Sequence, residues 1–259
     1  FKLDAKLQKL RAAQRLSLAI ARKAGSAEQI IKAEFIPAGK AKENIPGINS
    51  HYRSVTVSDG THLRAIITQP SGTNHALPAL LFTQWVSCGS IEYRAGSNGA
   101  EILAALARHS GRALIRVERS SNGDSIGPAC HELDYNTELQ HYFEAYQALL
   151  SDPLIADAGV VILGSSLGST TAPLLAQKLQ EAGVKVAAVI VQGGGALTYF
   201  ERMLNFDRIY LERKEGADYQ TIHKEILNRS RFHYEYLVKK RHPDDIAKDD
   251  TAMAAVRNT

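Results

Sequence analysis

The sequence Gly-Ser-Ser-Leu-Gly at residues 164–168 constrains the fold more than any other feature of this chain. An apolar run at residues 160–163 predicts a strand before it, and residues 169–175 predict a helix after it. This is the Gly-x-Ser-x-Gly pattern, in which glycines remove the β-carbons that would collide at a sharp strand-to-helix turn. A serine there has strained backbone angles, and the helix N-terminus favours developing negative charge. The pattern predicts Ser166 as a nucleophile between Gly164 and Gly168; a glycine-lined turn without chemistry is the alternative.

Short apolar strands and helices alternate around this turn. Antiparallel strands are predicted at 51–57 and 62–68, joined by the turn residues Asp59 and Gly60. Further strands are predicted at 79–82, 113–117, 160–163 and 186–191, with helices at 99–109, 139–150 and 172–179. Such alternation implies right-handed crossovers. The predicted fold class is therefore α/β, with a mostly parallel sheet, helices on both faces and antiparallel N-terminal strands.

Composition and charge divide the chain into three predicted regions. Residues 1–48 form a basic amphipathic helix and linker, residues 49–196 the α/β core, and residues 197–259 a helical lid. The first 23 residues carry a net charge of +6 and the rest −2, so the excess of 31 basic over 27 acidic residues predicts no nucleic-acid groove. The predicted helix at 1–23 either docks on the body or contacts an anionic membrane surface. No apolar run approaches the ~20 residues of a transmembrane segment.

The strands and the serine turn together resemble the α/β-hydrolase superfamily, in particular its serine esterase and peptidase-like branch. The resemblance spans about residues 51–195. It implies an acyl-enzyme on Ser166 and an oxyanion hole formed by the backbone N–H groups of Leu167 and Trp85. It also implies hydrolysis of a small acyl substrate, either a carboxylic ester, a thioester or a short peptide, without a cofactor or metal.

The predicted lid carries an apolar stripe. It could border an acyl or side-chain pocket, or it could pack the lid on the core. The stripe consists of Tyr199, Phe200, Met203, Leu204 and Phe206.

The resemblance also bears on the only two cysteines, Cys88 and Cys130. In this fold the loops that contain them leave adjacent strands, and similar hydrolases have a cysteine in each loop. The resemblance therefore implies a disulfide and a periplasmic or extracellular location. Two reduced cysteines in a cytoplasmic enzyme are the alternative.

The rest of a catalytic triad is not evident in the sequence. In the superfamily an acid and then a histidine follow the serine on loops after later strands. His223, His233 and His242 instead lie in predicted helical segments or at a helix entry. The favoured explanation is that the acid and histidine lie outside this chain, on a missing segment or a second chain. The alternatives are an unusual triad completed by a lid residue such as His223, and a noncatalytic homologue that binds a ligand or partner through its lid.

Overall fold

The computed structural model describes residues 43–92, 96–194, 197–213 and 216–257. The predicted basic helix at residues 1–23 therefore lies outside the described residues. The six described strands are β1 (Ile48–Thr56), β2 (His62–Pro70), β3 (Ala79–Thr83), β4 (Ala113–Val117), β5 (Val160–Ser165) and β6 (Val186–Gln192). The described α-helices are α1 (Asn98–His109), α2 (Tyr135–Leu149), α3 (Gly168–Glu181), α4 (Tyr199–Arg213), α5 (Tyr219–His233), α6 (Pro243–Asp249) and α7 (Thr251–Arg257). A 3₁₀ turn spans Cys130–Glu132, and a π-helical segment spans Tyr234–Val238.

The strands form one mixed sheet in the order β1-β2-β4-β3-β5-β6. The predicted antiparallel start is confirmed, because β1 pairs with β2 from Ile48 opposite Pro70 to Thr56 opposite His62. Strand β2 is also antiparallel to β4, with Ala65 opposite Val117. Strands, helices and sheet together confirm the predicted α/β fold class.

The chain divides into two compact units. The first contains the described residues up to Leu81 together with Cys88–Val160, and the second contains Phe82–Ser87 and the described residues from Val161 onward. Strands β3 and β5 each pass from one unit to the other along their length. The second unit contains α3 to α7, in which α4 packs against α5 and α5 against α7. No helix of the described ranges is long and apolar enough to span a membrane.

A buried arginine organises the first unit. The side chain of Arg64, on β2, is only 6% exposed and lies 2.8 Å from Glu118, 2.9 Å from Glu92 and 2.9 Å from Asp124. Burial by itself lowers the pKa of the Arg64 guanidinium, but the hydrogen bond to Glu118 and the three carboxylate charges outweigh it and raise that pKa. Gly123 has a φ of 53°, and a β-carbon there would collide with the Glu118 carboxylate. The loop at 118–125 is therefore built around the Arg64 charge.

We expect Arg64→Ala to lower the free energy of unfolding by about 3–5 kcal/mol, because it leaves buried carboxylates without their cation. Arg53→Ala is the control, since Arg53 lies on the partner strand but its side chain is 37% exposed and its ion pair with Asp152 is near the surface. That variant should lose no more than about 1 kcal/mol. Urea denaturation of both variants measures the difference, and equal losses would contradict the role assigned to Arg64.

The predicted disulfide between Cys88 and Cys130 is confirmed within the first unit. It links residues that are 42 positions apart in the chain, so it restricts the unfolded chain strongly. Replacing both cysteines by alanine should lower the free energy of unfolding by about 3–4 kcal/mol in the loop-entropy picture. Urea denaturation measures the loss, and thiol titration of the unfolded, unreduced protein should find no reactive thiol. Two reactive thiols would rule the disulfide out.

Candidate active site

Ser166 lies in the turn between β5 and α3, as the sequence predicts. Its φ is 52°, in the left-handed region that residues with a side chain rarely adopt. Strand β5 ends at Ser165 and helix α3 begins at Gly168, so the turn contains only Ser166 and Leu167. Ser166 is half-buried, and a strained serine at this position is typical of a reactive hydroxyl displayed at the end of a strand.

The two glycines of the motif allow close backbone approaches that no other residue permits. A β-carbon on Gly164 would lie 2.6 Å from the carbonyl carbon of Gly168 and 2.8 Å from the β-carbon of Ala172. A β-carbon on Gly168 would lie 2.6 Å from the carbonyl carbon of Thr83 and 2.9 Å from the carbonyl oxygen of Gln84. The hydroxyl of Thr83 donates a hydrogen bond to the Gly168 carbonyl at 2.9 Å. The start of α3 is thereby held against the loop that follows β3.

Gln192, at the end of β6, fixes the turn from a second direction. Its backbone carbonyl accepts a hydrogen bond from the Ser166 N–H at 2.8 Å. Its side-chain oxygen accepts one from the Ser165 hydroxyl at 3.0 Å. The end of β6 therefore fixes the backbone of Ser166, while Thr83 of β3 contacts Gly168 at the start of α3.

The two predicted oxyanion-hole residues lie on either side of the contact between the loop and α3. The backbone N–H of Leu167 makes no hydrogen bond with the described residues, while its carbonyl accepts from Thr170 at 2.9 Å. Trp85 directly follows Gln84 in the loop, and its ring packs edge-on against Phe82, with the ring centroids 6.0 Å apart. The participation of Leu167 and Trp85 in an oxyanion hole stays a prediction.

Arg202 of α4 holds the turn, and no sequence pattern indicated this role. The residue is 3% exposed, and its guanidinium donates to the Ser166 carbonyl at 2.9 Å, the Ser169 hydroxyl at 3.1 Å and the Thr170 hydroxyl at 2.8 Å. Arg202 lies beside the predicted apolar stripe, in a position where most arginines are solvated. Only the folded arrangement brings its charge to the carbonyl of the candidate nucleophile.

We expect Arg202→Ala to lower the free energy of unfolding by about 1.5–3 kcal/mol, the usual range for hydrogen bonds to a charged group. The amides at 166–171 should also exchange their hydrogens faster, because the turn loses its support. Arg208→Ala is the control, since Arg208 lies on the same helix and is exposed. Equal stability and equal exchange in the two variants would refute this role of Arg202.

The predicted lid stripe lies on α4. Phe200 packs edge-on against the ring of His233, with the centroids 6.4 Å apart. Tyr199 is partly buried, and this burial raises the pKa of its phenol. Of the five stripe residues, Phe206 lines a cavity of about 470 Å³. A pocket bordered by Tyr199, Phe200, Met203, Leu204 and Phe206 stays a prediction.

The histidines after Ser166 have other surroundings. His223 is exposed. His233 donates a hydrogen bond from Nε2 to the Asp207 carboxylate at 2.8 Å. The Nδ1 of His242 accepts a hydrogen bond from the backbone N–H of Asp244 at 3.3 Å and so caps α6. The Ser166 hydroxyl makes no hydrogen bond with any residue in the described ranges. Those ranges also contain no group of three or more His, Cys, Asp or Glu side chains that could hold a metal ion.

Comparison with protein families gives a match that covers less than half of this chain. Residues 137–255 match the family described as BAAT / Acyl-CoA thioester hydrolase C terminal, and this stretch contains the serine turn and the helices after β6. The chain has an α/β-hydrolase-like fold. Comparison with curated protein sequences gives no significant match.

Solved esterases are also similar to this chain. A fungal esterase from Rhizomucor miehei is 19% identical, with a TM-score of 0.47, and the match covers 71% of this chain and 54% of the esterase. Esterase Est22 is 14% identical, with a TM-score of 0.47 and coverages of 73% and 55%. A bacterial heroin esterase is 17% identical, with a TM-score of 0.43 and coverages of 71% and 56%. The chain spans about half the length of these esterases.

Proposed function

We propose that this chain supplies the nucleophile of a serine hydrolase that acts on an acyl bond. The observation that carries the proposal is the left-handed backbone of Ser166 between two glycines whose β-carbons would collide with the fold. Strain of this kind persists only where the surrounding structure enforces it, and it is concentrated at reactive sites. The proposed chemistry uses no cofactor and no metal.

In the proposed reaction the Ser166 oxygen attacks the carbonyl carbon of the substrate, and its proton passes to a base. The carbonyl oxygen becomes an oxyanion and is stabilised by the backbone N–H groups of Leu167 and Trp85. Collapse of this intermediate expels the protonated leaving group and leaves an acyl-enzyme, which water then hydrolyses. Arg202 holds the turn by its hydrogen bond to the Ser166 carbonyl and is a positioning residue in this scheme.

The substrate class that we propose is a carboxylic ester or a thioester, with a short peptide as a further possibility. The description of the matching family, an acyl-CoA thioester hydrolase, supports the thioester. The apolar stripe on α4, as part of a lid, would contact the acyl chain.

We further propose that the acid and histidine of the triad lie on another segment or a second chain, which covers β6. The side chains of Val189, Ile190 and Val191 in this strand are 38%, 50% and 44% exposed. Strands of a parallel sheet are normally buried on both faces, and an exposed apolar edge strand is a site for further pairing. Exposure of β6 therefore supports an additional covering element.

A noncatalytic homologue is the second candidate. It is favoured by the Ser166 hydroxyl, which has no histidine partner in the described part of the chain. Such a protein would keep the turn as a structural feature and bind a ligand or partner through α4 to α7.

The disulfide supports a location outside the cytoplasm. Disulfides persist in the periplasm and in extracellular spaces, whereas cytosolic thiols are kept reduced. We therefore propose a periplasmic or extracellular protein.

A fluorophosphonate probe tests the nucleophile, and it should be applied to this chain and to a longer chain that includes the covering element. We expect Ser166 to be labelled and Ser166→Ala to abolish labelling, with far faster labelling in the longer chain because a base assists. Ser165→Ala is the matched control and should keep its label, since the Ser165 hydroxyl bonds to Gln192. A longer chain that resists the probe would favour the noncatalytic homologue.

A further inference from the structure

The second unit contains a cavity to which the apolar stripe contributes only Phe206. Its volume is about 470 Å³, within the range of about 300–1,000 Å³ that small-molecule sites occupy. Four aromatic side chains contribute to its walls, namely Phe206, Tyr210, Phe232 and Tyr236. Apolar rings that line a concave space of this size favour a small ligand with an apolar, flat body.

One end of the cavity is polar. Asp207 of α4 accepts a hydrogen bond from Arg229 Nη1 on one carboxylate oxygen and from His233 Nε2 on the other, both at 2.8 Å. Because a carboxylate only accepts, His233 must carry its proton on Nε2. Each Asp207 oxygen already accepts one hydrogen bond, whereas Arg229 keeps further N–H groups for another acceptor.

The guanidinium of Arg229 is buried and is not fully hydrogen-bonded within the described ranges. Its side chain is 8% exposed, and its Nε is buried with no hydrogen-bond partner in the described ranges. The Nε atoms of Arg116 and Arg202 also have no hydrogen-bond partner in the described ranges, but of these three arginines only Arg229 lines the cavity. Buried guanidinium N–H groups are normally paired, so the cavity is where an acceptor for Arg229 would lie. With its proton on Nε2, His233 has an acceptor at Nδ1, which makes no hydrogen bond with the described residues.

The cavity is distinct from the serine turn. Arg202 and Asp207 both lie on α4, but five positions at about 100° per residue place them about 140° apart around the helix. Arg202 bonds to the Ser166 carbonyl, while Asp207 meets α5 through Arg229 and His233. Helix α4 thus contacts the serine turn with one side and lines the cavity with another.

We infer that this cavity is a binding site for a small aromatic monocarboxylate. The ring of the ligand would lie among the aromatic side chains, and its carboxylate would accept hydrogen bonds from Arg229. Carboxylates and guanidinium groups form strong, charge-assisted hydrogen bonds. Asp207 orients Arg229 and balances its charge while the cavity is empty.

Calorimetric titration of the 259-residue chain with 3-phenylpropionate, and separately with the matched alcohol 3-phenylpropan-1-ol, tests this inference. The acid should bind about tenfold more tightly than the alcohol, because only the acid forms charge-assisted hydrogen bonds. Arg229→Gln should remove this preference. Arg231→Gln is the matched control, since Arg231 lies on the same helix and its side chain is 62% exposed. That control should keep the preference.

Two further variants locate the site and guard against a folding defect in Arg229→Gln. Phe206→Ala should weaken both ligands by a similar factor, and Phe206 is 49% exposed, so folding should survive. Ser166→Ala should change neither affinity if the cavity is separate from the serine turn. Equal binding of acid and alcohol, no binding at millimolar concentration, unchanged affinities in Phe206→Ala, or identical behaviour of the Arg229 and Arg231 variants would each overturn the inference.

Discussion

The close approach of Gly168 to the carbonyl groups of Thr83 and Gln84 is the constraint on which the candidate site depends. It brings the loop after β3 to the first turn of α3, while Gly164 allows β5 to reach the same point. A β-carbon at either position would collide mainly with backbone atoms, which cannot move aside as a flexible side chain can. The strand, turn and helix would therefore have to separate. The strained φ of Ser166 follows from this crowding, and the hydrogen bond from its N–H to Gln192 keeps the strain in place.

In both units a buried guanidinium group binds several polar groups from different parts of the chain. Arg64 gathers three carboxylates in the first unit, and Arg202 gathers a carbonyl and two hydroxyls in the second. In each case a planar group with several N–H donors connects loops that have little apolar surface of their own. Arg229 pairs with Asp207 and lines a cavity. The Nε atoms of Arg202 and Arg229 both have no hydrogen-bond partner among the described residues, so the cavity and not the unpaired Nε distinguishes Arg229.

Sequence patterns predicted the elements closely, and the differences at their ends have local causes. Helix α2 begins at Tyr135 rather than at 139 because Asp134 caps it, accepting hydrogen bonds from the backbone of Asn136 and Thr137. Strand β1 begins at Ile48 rather than at 51 because its pairing with β2 extends to Pro70. Hydrophobic periodicity reports the buried centre of an element, whereas its ends depend on hydrogen bonds that periodicity does not reflect.

The α/β alternation and the serine turn with its two glycines can be predicted from sequence, because each depends on residues that are adjacent in the chain. The resemblance to α/β hydrolases added the pairing of Cys88 with Cys130. Only the folded structure shows that Arg202 bonds to the Ser166 carbonyl and that Asp207 joins Arg229 to His233. These contacts join residues 22 to 36 positions apart, on surfaces whose orientation the chain acquires only when the helices pack. Sequence patterns predict that polar side chains on a helix are exposed, and only the packing of the helices shows which of them are buried.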